Sequence, residues 1–295
     1  ILLTGASGFL GKIIVESFSQ NKIKVKTVGR KHENDICCDL SKESPLLGSS
    51  KYNTVIHAAG KAHSIPNNEE ESKQFFDTNV KGTQNLLNSL QINHLPKNFV
   101  FISSVAVYGL VYGNKIIETE PLKAVDPYGV SKIMAEKLIL NWCKKNNVCC
   151  TILRLPLLVY KNPPGNLGAM LQAIRKGYYF NIGGGKAKKS MVLVNDVVRF
   201  ILLIKATGGV FNLTDGVHPS FNELSRVLSQ KKIYNLPLRF ATILGLIGDA
   251  FGPKSVLNTK KVKKITADLT FDDSKAREFG WNPQPVLEYV KLNHL

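Results

Sequence analysis

Ile1-Leu2-Leu3-Thr4-Gly5-Ala6-Ser7-Gly8-Phe9-Leu10-Gly11 opens the chain, an apolar run followed by three glycines spaced three apart. From Lys12 the pattern turns helical, with Ile14, Val15 and Phe18 on one face. The stretch therefore predicts strand, tight turn, helix. Glycine has no Cβ, so the backbone can turn sharply and approach a bound group closely. The first helical N–H groups carry partial positive charge and favour a phosphate. Gly5, Ser7, Gly8, Phe9, Leu10 and Gly11 are thus candidates to hold the pyrophosphate of a nucleotide cofactor. Glycine-rich turns are common; the strand before and the helix after supply the context such a motif needs.

The 295 residues suffice for a large core, and 44% apolar content is ordinary for a globular protein. No window reaches the roughly 18 uncharged apolar residues of a membrane span. Leu236 to Phe251 comes closest, but Arg239 and Asp249 interrupt it, so a buried or amphipathic helix is expected there rather than a membrane contact. No signal peptide is evident, and residues preceding Ile1, the initiator Met included, are expected outside this numbering. Five cysteines, two adjacent pairs among them, have spacings that suit neither a zinc site nor a disulfide framework. Reduced thiols, a cytoplasmic setting and no metal are the expectation. The net charge of +17 favours an anionic partner. Its only dense basic run, Lys260-Lys261-Val262-Lys263-Lys264, has no interleaved aromatic. A small anionic substrate is expected, and no nucleic acid.

Ile23 to Val28 alternates as a second strand and ends at Gly29-Arg30-Lys31. In a dinucleotide fold this tip faces the adenosine ribose. Its cations suit the 2′-phosphate of NADP, with NAD as the alternative. Asp39, followed by Leu40, could reach the adenine or cap a following segment. Asn53 to Gly60 is a strand that runs into Ala58-Ala59-Gly60, small enough for a flat cofactor to lie against the backbone; His57 reads as a packed strand residue. Glu69 to Gln91 is one long helical pattern with Asn79 inside it, and Asn98 to Ser104 is apolar until two serines at its carboxyl end. Ligands bind at that edge of open α/β sheets. Asp126-Pro127-Tyr128 opens another helix, which places Tyr128 and Lys132 on one face. Cys149 to Leu155 is a further strand. Strand and helix alternate, so the fold is expected to be α/β, a Rossmann-type doubly wound parallel sheet with a smaller mixed α/β lobe. Residues 1–160 form the cofactor domain, with a returning segment 190–212, and 161–295 form the substrate lobe.

Ser104, Tyr128 and Lys132 could converge on one site. A phenol is a poor base at neutral pH, and a nearby ammonium favours the phenolate. Such a pair beside a serine hydroxyl can move a proton to or from a sugar alcohol or carbonyl oxygen while a nicotinamide carries the hydride. With the opening glycines, His57-Ala58-Ala59-Gly60, Asn79-Val80-Lys81-Gly82-Thr83, Ser103-Ser104, Val107-Tyr108-Gly109, Tyr128-Gly129-Val130-Ser131-Lys132 and Arg154-Leu155-Pro156, nearly the whole chain resembles the extended short-chain dehydrogenase/reductase family of sugar-nucleotide epimerases, dehydratases and reductases. The resemblance implies Tyr128 as acid/base, Lys132 lowering its pKa and holding the nicotinamide ribose, and Ser104, rather than Ser103, on the reacting oxygen. It also implies Ala58, Ala59, Gly60, Asn79 and Leu155 around the cofactor, and Ser104, Val105, Asn166 and Lys189 around the substrate.

Dehydratases of this family follow the active-site hydroxyl with Asp and Glu, where this chain has Val105 and Ala106. Neither can exchange a proton, so 4-epimerases and 4-ketoreductases remain. Arg30 and the second half of the chain tilt the expectation to a 4-ketoreductase of a UDP-4-keto-6-deoxy-N-acetylhexosamine. A UDP-glucose or UDP-N-acetylglucosamine 4-epimerase is the first alternative, and a non-catalytic cofactor-sensing or RNA-binding member of the fold the second. The expected partner is a UDP- or dTDP-sugar, with homodimerisation left open.

Overall fold

The computed structural model describes residues 1–62, 66–229, 231–252, 255 and 257–293. The first half runs β1 (Leu2–Thr4), α1 (Phe9–Gln20), β2 (Lys26–Gly29), β3 (Ile36–Cys37), β4 (Thr54–His57), α2 (Glu69–Phe76), α3 (Gly82–Ile92), β5 (Asn98–Ser104), β6 (Gly113–Ile116), α4 (Pro127–Lys145) and β7 (Cys149–Leu155). It continues β8 (Leu157–Val159), α5 (Gly165–Arg175), β9 (Phe180–Ile182), β10 (Met191–Leu193), α6 (Val194–Ile204) and β11 (Gly209–Asn212). The chain closes with α7 (Phe221–Leu228), β12 (Tyr234–Leu236), α8 (Leu238–Ala250), α9 (Thr259–Thr266), β13 (Leu269–Phe271), α10 (Ser274–Glu278) and α11 (Val286–Asn293).

Seven strands form one parallel sheet in the order β11-β7-β5-β4-β1-β2-β3. Chain order reverses between β1 and β4, and the crevice there is where such folds bind ligands. Successive strand residues point to opposite faces, and both faces are covered. Leu3, Ile56, Val100 and Leu153 pack with Ile14 and Phe18 of α1 and Val197 and Ile201 of α6. Their neighbours Leu2, Val55, Phe99, Phe101 and Ile152 pack on the other side with Leu86 and Leu90 of α3 and Ala135 and Ile139 of α4. This is the expected doubly wound α/β architecture. No helix among the described residues is long and apolar enough to cross a membrane, and no group of acidic, His and Cys side chains among them could hold a metal. The five cysteines are free thiols.

Three local expectations change. Strand β2 begins at Lys26 rather than Ile23, where its ladder with β1 opens at Leu2 opposite Lys26. The expected long helix is continuous, but it widens by a π-turn at Asp77–Lys81 between α2 and α3. Of the returning segment, β11 joins the main sheet beside β7, whereas β10 pairs with β8 in a separate two-stranded ladder. Two further parallel ladders, β9 with β12 and β6 with β13, tie the second half together and to the first.

Candidate active site

The β1–α1 turn is built by close approach. Gly5 has φ +77°, and a Cβ there would lie 2.6 Å from the Ala59 nitrogen at the end of β4. A Cβ on Gly11 would lie 2.1 Å from the Gly5 carbonyl oxygen, so only glycine lets α1 start this close to β1. Gly8, by contrast, is exposed and faces open space: only the Gly5 oxygen, at 3.1 Å, lies near its missing Cβ. It caps α1, whose first turn includes Phe9 and Leu10 and carries no acidic residue to neutralise the helix dipole. Ser7 is half-buried beside it. This open floor of N–H groups fits an anionic diphosphate.

At the tip of β2, Arg30 is exposed, and Lys31 pairs loosely with Glu33 at 3.6 Å. Asp39 accepts hydrogen bonds from the Ser41 nitrogen (3.1 Å) and Oγ (2.7 Å). Burial raises its pKa, but the Ser41 hydrogen bonds, Arg30 and Lys42 outweigh that and hold the carboxyl below its ordinary value. Asp39 thus caps a turn and lies within the field of Arg30. Leu40 is buried beneath it, against Gly82 at the start of α3.

His57 lies directly across the ladder from Thr4 and is fully buried. A chain of hydrogen bonds runs through it. The Ala59 N–H donates to Thr4 Oγ1 (3.2 Å), Thr4 Oγ1 lies 2.6 Å from His57 Nδ1, and His57 Nε2 lies 2.9 Å from Thr83 Oγ1. Thr83 donates to the Asn79 carbonyl at 2.6 Å. That last donation makes the Thr83 oxygen the acceptor from Nε2–H, so Nδ1 accepts from Thr4 and the ring is neutral. Burial, reinforced by the Lys132 charge, pushes the His57 pKa down from 6.5 to about 3. The wide turn at Asp77–Lys81 turns the Asn79 side chain inward, where Nδ2 donates to Ser131 Oγ (2.8 Å) and Oδ1 accepts from the Lys61 nitrogen (2.7 Å). Ser131 in turn donates to the Tyr128 carbonyl at 2.7 Å. Ala58, Ala59 and Gly60 line the end of β4, and Gly60 passes so near the Asn79 amide that a Cβ would lie 3.1 Å from its oxygen. Asn79 therefore links the cradle to the helix that carries Tyr128.

Helix α4 is capped by Asp126, which accepts from the Gly129 nitrogen at 3.0 Å, with Pro127 in the first turn. This start sets Tyr128 against Ser104 at the carboxyl end of β5. Burial raises the Tyr128 pKa, and the Ser104 hydroxyl beside the phenol opposes the rise. One turn on, Lys132 is buried, donates to the Ile102 carbonyl at 2.6 Å and lies 3.9 Å over the Phe101 ring. Burial lowers its pKa to about 7, against the pull of Glu136. Ser103 faces away from Tyr128. It donates to Glu136 (2.5 Å), which also pairs with both Nε (3.1 Å) and Nη2 (2.8 Å) of Arg154 in a buried fork. Arg154 and Asn212 then hold the Tyr108 hydroxyl.

Val105 and Ala106 begin the turn after Ser104, half-buried, and Leu155 sits beside Ser104 in the ladder. Asn166 is exposed in the first turn of α5, next to an open groove of about 430 Å³ lined by Asn162, Pro163, Gln172 and Arg175. Lys189 is neither a surface lysine nor turned to an open site. Its ammonium is buried and donates to the Lys264 (2.9 Å) and Ala267 (2.7 Å) carbonyls at the end of α9, and burial lowers its pKa to about 8. The structure thus groups Ser104, Tyr128 and Lys132, and sets Ala58–Gly60, Asn79 and the glycine turn along one edge. It does not join Lys189 to them. Thr4, Thr83 and Ser131 stand in the quoted motifs without a role of their own; for Ser131 the signal was a hydroxyl inside the Tyr128–Lys132 turn.

Residues 1–213 match the family described as NAD dependent epimerase/dehydratase. Over 307 residues the chain is 28% identical to the N-acetyl-alpha-D-glucosaminyl-diphospho-ditrans,octacis-undecaprenol 4-epimerase of Escherichia coli O157:H7, covering 95% of this chain and 89% of the relative. Over 314 residues it is 30% identical to the UDP-glucose 4-epimerase of Vibrio cholerae, covering 98% and 92%. Among solved structures, the UDP-glucose 4-epimerase of Thermotoga maritima with UDP-glucose superposes with a TM-score of 0.75 at 22% identity, covering 99% of this chain and 96% of that one.

Proposed function

Because the chain belongs to the NAD-dependent epimerase/dehydratase family, we propose that it is an NAD(P)-dependent 4-epimerase of a hexose carried on a diphosphate. The observation that carries this reading is the grouping of Ser104, at the carboxyl end of β5, with Tyr128 and, one turn further along α4, Lys132. Support for epimerisation over reduction comes from two relatives named as 4-epimerases that align along nearly the whole chain. Val105 and Ala106 offer no proton-exchanging group, which argues against dehydration.

When bound, a nicotinamide cofactor supplies the hydride acceptor and donor. Gly5, Ser7, Gly8, Phe9, Leu10 and Gly11 would hold its diphosphate. Arg30, Asp39 and Leu40 would meet the adenosine; Ala58, Ala59, Gly60, Asn79 and Leu155 would line the remainder, and Lys132 would hold the nicotinamide ribose. Tyr128 takes the proton of the sugar hydroxyl as the ketone forms and returns it when the hydroxyl is restored. It does so as the phenolate, which burial disfavours and the Ser104 hydroxyl, by donating to it, favours; Ser104 also orients the sugar oxygen. The chain from Ala59 through His57 and Asn79 to Ser131 positions Tyr128 without itself titrating. In this reading residues 1–160, with α6 and β11, form the cofactor side, and the rest of 161–295 forms the substrate lobe. Ser104, Val105 and Asn166 face the substrate, whereas Lys189 could do so only by releasing two carbonyls.

One observation favours a second reading, the 4-ketoreductase of a UDP-4-keto-6-deoxy-N-acetylhexosamine. Arg30 stands exposed at the tip of β2, where a cation suits the 2′-phosphate of NADP. The two readings separate when the protein is given UDP-glucose or UDP-N-acetylglucosamine with NAD⁺, and a 4-keto-sugar nucleotide with NADPH. An epimerase forms the C4 epimer with no net change at the NADH absorbance. Stoichiometric NADPH consumption with the keto sugar, and no epimer from either hexose, overturns the first reading.

A further inference from the structure

Helix α8 is packed by its small residues and exposes its large ones. Ala241, Gly245 and Gly248 are buried. A Cβ on Gly248 would lie 1.8 Å from the Leu257 oxygen, and one on Gly245 would lie 3.2 Å from the backbone leading into α9. These glycines let α8 lie directly on the start of α9. Phe240, Ile243, Leu244, Ile247 and Phe251 recur at helical spacing on another face and stand in solvent, Phe240 at 61% and Phe251 at 78% exposure. Leu246 is exposed beside them. Of the expectation for Leu236 to Phe251, an amphipathic helix rather than a membrane contact, the helix is amphipathic and its apolar side has no cover among the described residues, which reopens the membrane contact. A contiguous apolar patch of this kind marks an interaction surface.

The charge around the stripe is of one sign. Between Lys231 and Lys264 the sequence holds eight basic residues and one acidic, Asp249. Lys231, Lys232, Arg239, Lys260, Lys263 and Lys264 are exposed. Asp249 is exposed too, with its carboxylate accepting from the Thr259 nitrogen (3.2 Å) and Oγ1 (2.7 Å). We propose that the apolar face of α8, with the lysines of α9 and of the approach to β12, seats this protein on the surface of an anionic phospholipid bilayer. A helix with large apolar side chains on one side and Lys/Arg around it lies in the headgroup plane. Thirteen residues rise only about 20 Å, too short to span a hydrocarbon core of about 30 Å. A second copy of the chain is the weaker occupant. A twofold contact through this face would bring two clusters of like charge together, whereas anionic headgroups neutralise them. Docking of this kind is independent of the reaction proposed above.

The test is flotation of the full chain with phosphatidylcholine vesicles that contain or lack phosphatidylglycerol. Two variants are compared, Phe240→Ser/Ile247→Ser and Lys260→Gln/Lys263→Gln/Lys264→Gln, with urea midpoints confirming that each stays folded. The wild type should float only with the anionic vesicles. The apolar variant should weaken binding by at least about tenfold at every salt concentration. The lysine variant should weaken it by about a hundredfold at low salt, and less as salt rises. The proposal is overturned if the wild type fails to float with anionic vesicles, or if the apolar variant floats as well as the wild type. It is also overturned if the wild type is a dimer that this variant splits, or a ribonucleic acid binder that the lysine variant disarms, with no vesicle binding in either case.

Discussion

Replacing His57 with Gln removes a single titration from the interior while leaving a side chain that can still hydrogen-bond. The native ring is held neutral between Thr4 and Thr83, stacks on Phe101 at 5.5 Å, and has its pKa pushed from 6.5 to about 3 by burial and by Lys132. In the unfolded chain the same ring titrates normally. The folded pKa is depressed, so its contribution to stability is fully present above the unfolded value and is lost as pH falls towards about 3. From pH 7 to pH 5 the loss is about 2 kcal/mol, and once both titrations are complete it approaches about 5 kcal/mol. The side chain is fully buried, so solvent screening removes little of this. Urea unfolding at pH 7, 6 and 5 measures it. The wild type should lose about 2 kcal/mol more than His57→Gln across that range. The comparison of slopes is insensitive to whatever the substitution costs at pH 7. Parallel pH dependences of the two proteins would refute the buried neutral histidine.

Gly11→Ala should destabilise the fold by about 2–4 kcal/mol in urea and abolish cofactor binding, since its Cβ would lie 2.1 Å from the Gly5 oxygen; unchanged stability would contradict the packing at that turn. Glu136→Ala leaves the Arg154 guanidinium buried without its carboxylate and should cost about 3–5 kcal/mol, read as a lowered urea midpoint. Arg30→Ala should weaken NADPH binding by about ten- to a hundredfold and leave NADH binding within about twofold in fluorescence titrations; equal loss for both cofactors would remove Arg30 from the ribose phosphate.

The cofactor half was legible because its signals are local. Three glycines between a strand and a helix specify one turn, and the Leu2–Leu3, Val55–Ile56 and Ile152–Leu153 pairs announce strands covered on both faces. Tyr128 and Lys132 share a helix face through spacing alone. The rest depended on partners that spacing does not disclose. The wide turn at Asp77–Lys81 follows from where the Asn79 amide must reach, across to Lys61 and Ser131. Lys189 looked like a cation for an anionic ligand, but α9, many residues later, presents it with two carbonyls. Lys132 sits four residues from Tyr128, and its ammonium's contacts with the Ile102 carbonyl and the Phe101 ring come from β5. Arg154 was read as the end of a strand, and its fork with Glu136 became visible only once α4 lay across β5 and β7.

The central claim is that Tyr128 moves the proton at a sugar C4 in front of a bound nicotinamide. The most direct measurement follows UDP-glucose and UDP-N-acetylglucosamine by proton NMR with NAD⁺, for the wild type and for Tyr128→Phe, with cofactor binding titrated in both. The wild type should form the C4 epimer of one sugar. Tyr128→Phe should bind cofactor normally and lose about a thousandfold or more in rate. Turnover by Tyr128→Phe at the wild-type rate would contradict the account.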